Sequence, residues 1–568
     1  MGKHVPRLLV GLACALVVVM YACNHDMAGK PDAPRGTGQY LPILDRGDGH
    51  MMYLMARSTA IDLDWVFDND LARFGDPWNE PRTVTGRKSI VQPVGPALVW
   101  TPLIWISDAG AAIVNLFGAD IPLHGYTLWT QRFVFLSSAL FGCAACLLGA
   151  WLARRLALGR WATSYATAAV LLGTSITYYA TYMPSYAHAM DAAICAAIIA
   201  WWAKTLGRTD LRRWIVLGAL LGIAALIRVQ DFALGVLVVV ELAFTRDKQS
   251  LIKLVIGGAV TLAVAVVVFI PQLVEWHVVF GNTFAVPQGP QYTRFGSPMI
   301  LELLWAPRNG WLVTTPIAYA GLIGLFVIPR EHRVVAAGLL TVVIIQIYLN
   351  STIADWWGSA SFGQRRLCSV TMPLVVGNAA LFTRLRRAKL VWLQHAAVAL
   401  VFGALVVSNL SRVWKLRGGK PAAMDLEPTC CSNVPSFVEA VYWHTGNPFE
   451  LPASAIFAVR HRVPLATWDR IVGNYPLTPP FGAYRDDKLH QIHASWKPSG
   501  AYRTGDGRVL VPILIPQPTK LTVTVTGTCT LKWDGDAVDT VFTTTPSAGT
   551  HELACDGGHI ESIDFDLL

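Results

Sequence analysis

Two aspartates, Asp45 and Asp48, stand in the stretch LDRGDGHMMYLMARS at positions 44–58, just after the first apolar run and long before the next. A carboxylate beside a membrane is partly desolvated, holds a proton more tightly than one in water, and suits general-base work. Cations that would complement it occur farther along, at Lys88, Arg228, Arg365 and Arg366. A guanidinium offers phosphate a planar fork of donors, an ammonium a compact charge. Tyr179, His188 and Trp357 add polar and aromatic groups near the ends of apolar runs and are candidate substrate-binding residues. Asp68-Asn69-Asp70 and Asp62-Leu63-Asp64 have the DxD shape that holds divalent cations through carboxylate oxygens, so a metal is a candidate cofactor with Asp68 and Asp70 as weak ligand candidates. Each of these residues also has a plain reading. Asp45 and the DxD acids can be solvated loop residues, Arg228 and Arg365 interfacial charges paired with Asp231 and Asp355, and His188 a packing or capping residue. Trp356 can be a membrane-interface anchor.

The elements that must position these residues follow from composition. The chain has 568 residues, 53% hydrophobic and 15% charged, with 21 Trp. A soluble domain is about 25% charged, so the deficit points to a mainly α-helical, polytopic membrane protein. The net charge of +9 does not imply nucleic acid as a partner, because the basic residues cluster between apolar runs. Ten cysteines are scattered without paired CxxC motifs, which argues against a structural zinc site. Cys143 and Cys146 are spaced as CxxC but lie inside an apolar run, where they read as small packing residues.

Lys3, His4 and Arg7 precede an apolar run at 8–22, the shape of an uncleaved first span with an inner N-terminus. Segment 24–129 carries twelve acidic and eight basic residues and is predicted to lie outside. Within it, 94–117 is apolar but is predicted to lie along the outer surface or re-enter. If it crossed, Arg154, Arg155 and Arg160 after the next span (133–152) would fall outside. Further spans are predicted at 161–180, 188–203, 214–227, 232–245, 254–275, 311–328, 334–353, 367–383 and 390–410, making about eleven transmembrane helices. Arg228-Val229-Gln230-Asp231 interrupts 214–245, where two short helices meeting at the outer face fit best. The cluster Arg412, Lys415, Arg417 and Lys420 runs against this topology.

Three domains are expected: a transmembrane module over 1–411, an irregular extracytoplasmic linker over 412–508, and a small β domain over 509–568. The tail alternates as strands do, in VLVPILI, KLTVTVTGTCTLKW, DTVFTTT and IESIDFDLL. Cys529 falls in one predicted strand and Cys555 just before another, a candidate disulfide in an oxidising compartment. Adjacent Cys430 and Cys431 are poorly placed to pair with each other.

Asp48-Gly49 is followed by Ala56-Arg57, then by Lys88 with Pro93, Pro96 and Leu98, by Leu116-Phe117-Gly118, by Arg132, and by Ala153-Arg154-Arg155. This order and spacing over 40–160 resemble the GT-C superfamily of polyprenyl-phosphate-sugar glycosyltransferases, in particular the protein O-mannosyltransferase and lipid A aminoarabinose transferase branch. Later, Tyr186-Ala187-His188, Ala225 with Arg228, Gly310 with Pro316, and Trp357 through Gly363 to Arg365 resemble the bacterial members. Two departures stand out: the second acidic residue is Gly49 here, and Ile90, Val91 and Gln92 separate Ser89 from Pro93. The β domain lies outside the resemblance.

The spacing to Ala56-Arg57 singles out Asp48 over Asp45. The resemblance implies an inverting transfer of a sugar from a polyprenyl-phosphate donor at the outer face of a bacterial-type inner membrane. Asp48 would deprotonate an unidentified acceptor, and Arg228, Arg365 and Lys88 would bind the donor phosphate. The competing readings are a transporter or flippase of lipid-linked sugars and a non-catalytic membrane scaffold with a glycan-binding outer domain. The first predicts ionisable residues through the bilayer midplane and paired broken helices; the second tolerates loss of Asp48.

Overall fold

The computed structural model describes residues 5–24, 47–76, 81–288, 292–293, 295–296, 298–306, 309–353, 355–356, 358, 362–385, 391–417, 450–461, 465, 484–485, 502–503, 509–515, 520–547, 549–558 and 560–567. Asp45, Trp357, Cys430 and Cys431 lie outside the described residues.

The helices run in the order α1 (Val5–Ala22), α2 (Asp48–Arg57), α3 (Asp68–Phe74), α4 (Gly95–Asn115), α5 (Leu128–Arg155), α6 (Arg160–Gly173), α7 (Ile176–Thr181), α8 (His188–Thr205), α9 (Leu211–Ile227), α10 (Val236–Phe244), α11 (Lys248–Phe280), α12 (Ile300–Trp305), α13 (Trp311–Thr314), α14 (Ile317–Leu325), α15 (Arg333–Ser351), α16 (Thr371–Leu385) and α17 (Val391–Arg417). The chain divides into two compact units. The first comprises Met1–Pro290, Ile317–Gln346 and Arg366–Ser411; the second comprises Gln291–Pro316, Ile347–Arg365 and Arg412–Leu568.

In the first unit, polar caps set the starts of several helices. Thr127, Asp210 and Asp247 accept the amides of Thr130, Arg213 and Ser250 and begin α5, α9 and α11, each satisfying a backbone donor that a helix start leaves unpaired. α9 and α11 pack through a small-residue seam. A Cβ on Gly218 would stand 2.5 Å from the Thr261 carbonyl oxygen, and one on Gly222 would stand 2.6 Å from the Val268 Cβ. This Gly-xxx-Gly approach is the close contact that apolar helices use where water supplies no hydrophobic drive between them.

Five helical stretches among the described residues are long and apolar enough to cross a membrane: Gly95–Asn115, Leu128–Arg155, Lys248–Phe280, Arg330–Ser351 and Arg365–Leu385. The first is α4, which the charge pattern assigns to the outer surface; by length and composition it also qualifies as a span. The stretch predicted as one span at 161–180 is two helices, because Thr174 is extended (φ −127°, ψ 173°) between α6 and α7. The interruption at 228–231 falls where expected. Arg228 is extended (φ −150°, ψ 112°), and a 3-10 turn over Val229–Gly235 leads into α10.

The second unit contains α12, α13, a helix over Leu451–His461, and a pair of antiparallel sheets. Its strands are β1 (Tyr484–Arg485), β2 (Tyr502–Arg503), β3 (Val509–Ile515), β4 (Leu521–Gly527), β5 (Thr530–Trp533), β6 (Asp536–Val538), β7 (Val541–Thr544), β8 (Gly549–Asp556) and β9 (Ile560–Leu567). One sheet has the order β1-β9-β4-β7 and the other β2-β3-β8-β5-β6. Val523, Val525 and Ile563 of the first sheet share one buried core with Val511, Ile513, Leu531 and Leu553 of the second.

The strand assignments differ from those expected in several respects: β1 and β2 lie in the 412–508 segment expected to be irregular, and β6 and β8 are not among the expected strands. The run 520–533 splits into β4 and β5, so Cys529 lies in the turn before β5, while Cys555 lies inside β8, paired across from Val509. β8 escapes alternation because Leu553, Ala554 and Cys555 are buried in succession; its flanking partners β3 and β5 specify it instead. Cys529 and Cys555 are joined as a disulfide with Cα atoms 5.5 Å apart.

Candidate active site around Asp48

Asp48 is the first residue of α2, where a carboxylate complements the positive end of the helix dipole. The rest of α2 is pinned on its buried face. His50 Nε2 donates to the Gly75 carbonyl at 2.9 Å, and the Tyr126 hydroxyl donates to His50 Nδ1 at 3.1 Å. Burial pushes the His50 imidazole below its ordinary range, which agrees with one nitrogen donating and the other accepting. The Tyr53 hydroxyl donates to the Gly125 carbonyl at 2.6 Å. Asp48 itself is half-buried, and the buried Gln92 holds it, its Nε2 donating to Asp48 Oδ1 at 3.1 Å.

Gly49 packs directly on the turn before α8. A Cβ there would lie 2.2 Å from Ser185 Oγ and 2.9 Å from Ser185 Cβ. The missing second acid thus has a steric cause: no side chain fits beside Asp48 at this position. Gly49→Ala is expected to destabilise the fold by about 1–3 kcal/mol, as overpacking does. Ser185→Gly in the same protein should restore much of the loss, measured by thermal melting. A neutral Gly49→Ala would contradict the close packing.

The DxD-shaped run does not gather its carboxylates. Asp70, fully buried, accepts from Arg57 Nη1 at 2.8 Å, and Asp62 pairs with the same guanidinium. Asp68 instead accepts from Arg82 Nη2 at 2.6 Å. These pairings replace the weak metal-ligand reading of Asp68 and Asp70 with a structural one, in which Arg57 ties α2 to α3. Burial, reinforced by the neighbouring Asp62 and opposed by Arg57, pushes the Asp70 carboxyl up to about 7. The unfolded value is about 3.9, so the folded state binds this proton more tightly. Its contribution to stability is present in full below about pH 4 and is lost as pH rises through 7. The melting temperature of wild type relative to Asp70→Asn should therefore fall between about pH 4 and 7; a difference constant over that range would contradict the assignment.

Lys88 Nζ pairs with Asp76 Oδ2 at 3.1 Å, on the hairpin-like turn closed by the Arg82–Lys88 bridge. From Gln92 the chain passes straight into the start of α4. There the Val94 amide donates to Gln272 Oε1 at 2.8 Å, and a Cβ on Gly95 would stand 2.3 Å from the Leu226 carbonyl. The strap holding Asp48 therefore abuts the end of α9, two residues before Arg228.

Arg228 is bound on Nη1 by two acceptors, Asp191 Oδ2 at 3.0 Å and the Arg366 carbonyl at 2.9 Å. Its carboxylate partner is Asp191 rather than the expected Asp231, which accepts from Gln346 Nε2 at 2.7 Å. His188 opens α8 one turn before Asp191 and is buried. Its ring lies 4.8 Å from that of Tyr179, edge-on, and 5.8 Å from that of Tyr186, stacked. Gly49 thus packs on Ser185, the residue before Tyr186, while contacts run from Asp191 through Arg228 to Arg366. Arg365 precedes Arg366 in a 3-10 turn over Arg365–Val370 and is buried, its amide donating to the Gly363 carbonyl at 2.9 Å. In the second unit, Asp355 accepts from the Tyr292 hydroxyl at 3.0 Å.

Among the described residues, the group with three metal-type ligand atoms near one another is Asp191, Cys195 and Asp231, all within 4.8 Å. The Arg228 guanidinium already supplies the cation there. Asp191 and Gln92 are the site residues that motif reasoning passes over. Asp191 nevertheless carries a signal: it is the one acid in the apolar stretch 188–203, and an ionisable residue inside a span is a functional candidate by default.

No family model matches the sequence, and no curated protein matches it. Among solved structures, the apo oligosaccharyltransferase of Archaeoglobus fulgidus superposes with a TM-score of 0.47 at 12% identity, covering 80% of this chain and 60% of that one. The oligosaccharyltransferase AglB of the same organism, in complex with an inhibitory peptide and a dolichol-phosphate, gives 0.45 at 14% identity, covering 80% and 59%. Apo ArnT from Cupriavidus metallidurans gives 0.43 at 18% identity, covering 81% and 73%. The chain thus spans about 60% of the length of the oligosaccharyltransferase. The functional reading rests on the residues of the site.

Proposed function

We propose that this chain is a multi-pass membrane glycosyltransferase that moves a sugar from a polyprenyl-phosphate donor to an acceptor hydroxyl or amine at the outer membrane face. The observation that carries the reading is Asp48: a half-buried carboxylate at a helix start, oriented by the Gln92 amide, on a strap whose Gly95 packs on Leu226, two residues before the half-buried Arg228. Asp48 takes the proton of the acceptor, whose oxygen or nitrogen attacks the anomeric carbon from the side opposite the lipid phosphate. The bond from that carbon to the phosphate oxygen breaks, and the electron pair leaves with polyprenyl phosphate. One displacement inverts the anomeric centre. Negative charge grows on the departing phosphate, where Arg228, Arg365 and Lys88 stabilise it, while His188 and Tyr179 are the candidates for binding the sugar or acceptor. The basic loops between apolar helices and the Cys529–Cys555 disulfide support an outer location for the site and the β domain.

The test uses the purified protein in vesicles with a polyprenyl-phosphate donor labelled in its sugar, together with a membrane extract as acceptor. Label leaving the lipid and entering the acceptor fraction is expected. Label crossing the bilayer still attached to intact lipid would favour the flippase reading and overturn this one.

A further inference from the structure

Behind Arg228 lies a buried charge cluster to which the reaction as written assigns no role. Four elements converge there. Asp191 and Cys195 come from α8, Arg228 and Asp231 from the break after α9, Gln346 from α15, and the Arg366 carbonyl from the 3-10 turn before α16. Asp191, Asp231 and Gln346 are fully buried. Both Asp191 oxygens are engaged: Oδ2 accepts from Arg228 Nη1 at 3.0 Å, and Oδ1 accepts from the Cys195 thiol at 3.4 Å. Asp231 Oδ1 accepts from Gln346 at 2.7 Å, and Asp191 and Asp231 present ligand oxygens within 4.8 Å of one another.

Two buried carboxylates face one guanidinium. Taking an unbalanced charge out of water is costly, and neighbouring acids settle the imbalance by sharing a proton. Asp191 is the acid that touches the cation, and Asp231 is the acid held by an amide.

We propose that Asp191 is a positioning residue for sugar transfer: it locks the Arg228 guanidinium against the Arg366 carbonyl and so orients the cation that meets the leaving phosphate. Nη1 is held between two acceptors, which fixes the plane of the guanidinium and the direction of its remaining N–H groups. This inference rests on the reading of Arg228 as a donor-phosphate ligand. The demand on that orientation is greatest as charge builds on the leaving phosphate, so its loss should show in kcat more than in the donor KM.

The experiment compares wild type, Asp48→Asn, Asp191→Asn, Asp231→Asn, Arg228→Gln and the Asp191→Asn/Arg228→Gln double variant, as full-length protein in the labelled-donor assay, with thermal melting on each. Asp191→Asn is expected to lower kcat by about 30-fold with the donor KM changed less than about threefold. In the Arg228→Gln background the same substitution should cost less than about twofold, because Asp191 acts through Arg228. Asp231→Asn should stay within about threefold of wild type, since an asparagine keeps an oxygen to accept from Gln346 and leaves the Asp191–Arg228 contact in place. If Asp191→Asn does not fold, Asp191→Glu, which keeps the charge but shifts it by one methylene, carries the same expectation.

Full kcat in the folded Asp191 variant would overturn the proposal, as would an equal cost with and without Arg228, or Asp231→Asn as damaging as Asp191→Asn. A wild type without transfer, or an Asp48→Asn variant at wild-type turnover, would instead sink the functional reading beneath it.

Discussion

Asp48→Asn is expected to lower the rate of sugar transfer by about 10³-fold, within the span that general-base catalysis covers, while leaving the melting temperature close to that of wild type. The substitution keeps the shape of the side chain and its Oδ1, so Gln92 still has an acceptor and α2 keeps its packing. What is lost is the ability to take a proton from the acceptor as it attacks. A loss of that size in a protein that melts normally separates chemistry from folding. Gln92 provides an internal comparison. Its amide orients Asp48 without touching the transferred proton, so Gln92→Leu should cost less than Asp48→Asn.

The second large effect is expected at Arg365. Arg365→Ala should raise the barrier on the order of 3 kcal/mol, about 10²-fold in kcat, by analogy with removing one donor from a developing oxyanion. Arg365 is buried in a short 3-10 turn whose next residue supplies the carbonyl that holds Arg228. Lysine restores the charge but not the planar fork, so Arg365→Lys should recover only part of the rate. Normal turnover and normal donor affinity in Arg365→Ala would remove Arg365 from the phosphate site.

Much of this arrangement is legible in the sequence, for identifiable reasons. Apolar runs and the basic residues between them locate the helices, because roughly 20 apolar residues must separate polar segments that cross a bilayer. The interruption at Arg228 is visible because an arginine inside an apolar run has to leave the hydrocarbon or find a partner. That the partner is Asp191 is not visible: the two residues are 37 positions apart, and neither helix records in its own pattern how it faces the other. Gln92 is unremarkable in sequence, and it matters because the strap from Lys88 to Gly95 carries it to the start of α2. The acidic run at 62–70 misleads in the opposite direction, since its spacing is that of a metal loop while Arg57 and Arg82 divide its carboxylates. β8 is hidden because a strand flanked on both sides and buried over three successive residues does not alternate. Periodicity therefore conveyed the elements here, and long-range pairing conveyed the site.

The most direct test of the central claim is the anomeric configuration of the product. Wild-type protein is supplied with a polyprenyl-phosphate sugar of known configuration, and the new linkage is read by nuclear magnetic resonance. A single displacement by an acceptor that Asp48 has deprotonated predicts inversion of the anomeric carbon. A product that retains the donor's configuration would mean two successive displacements through a bond to the enzyme, and would contradict the role given to Asp48.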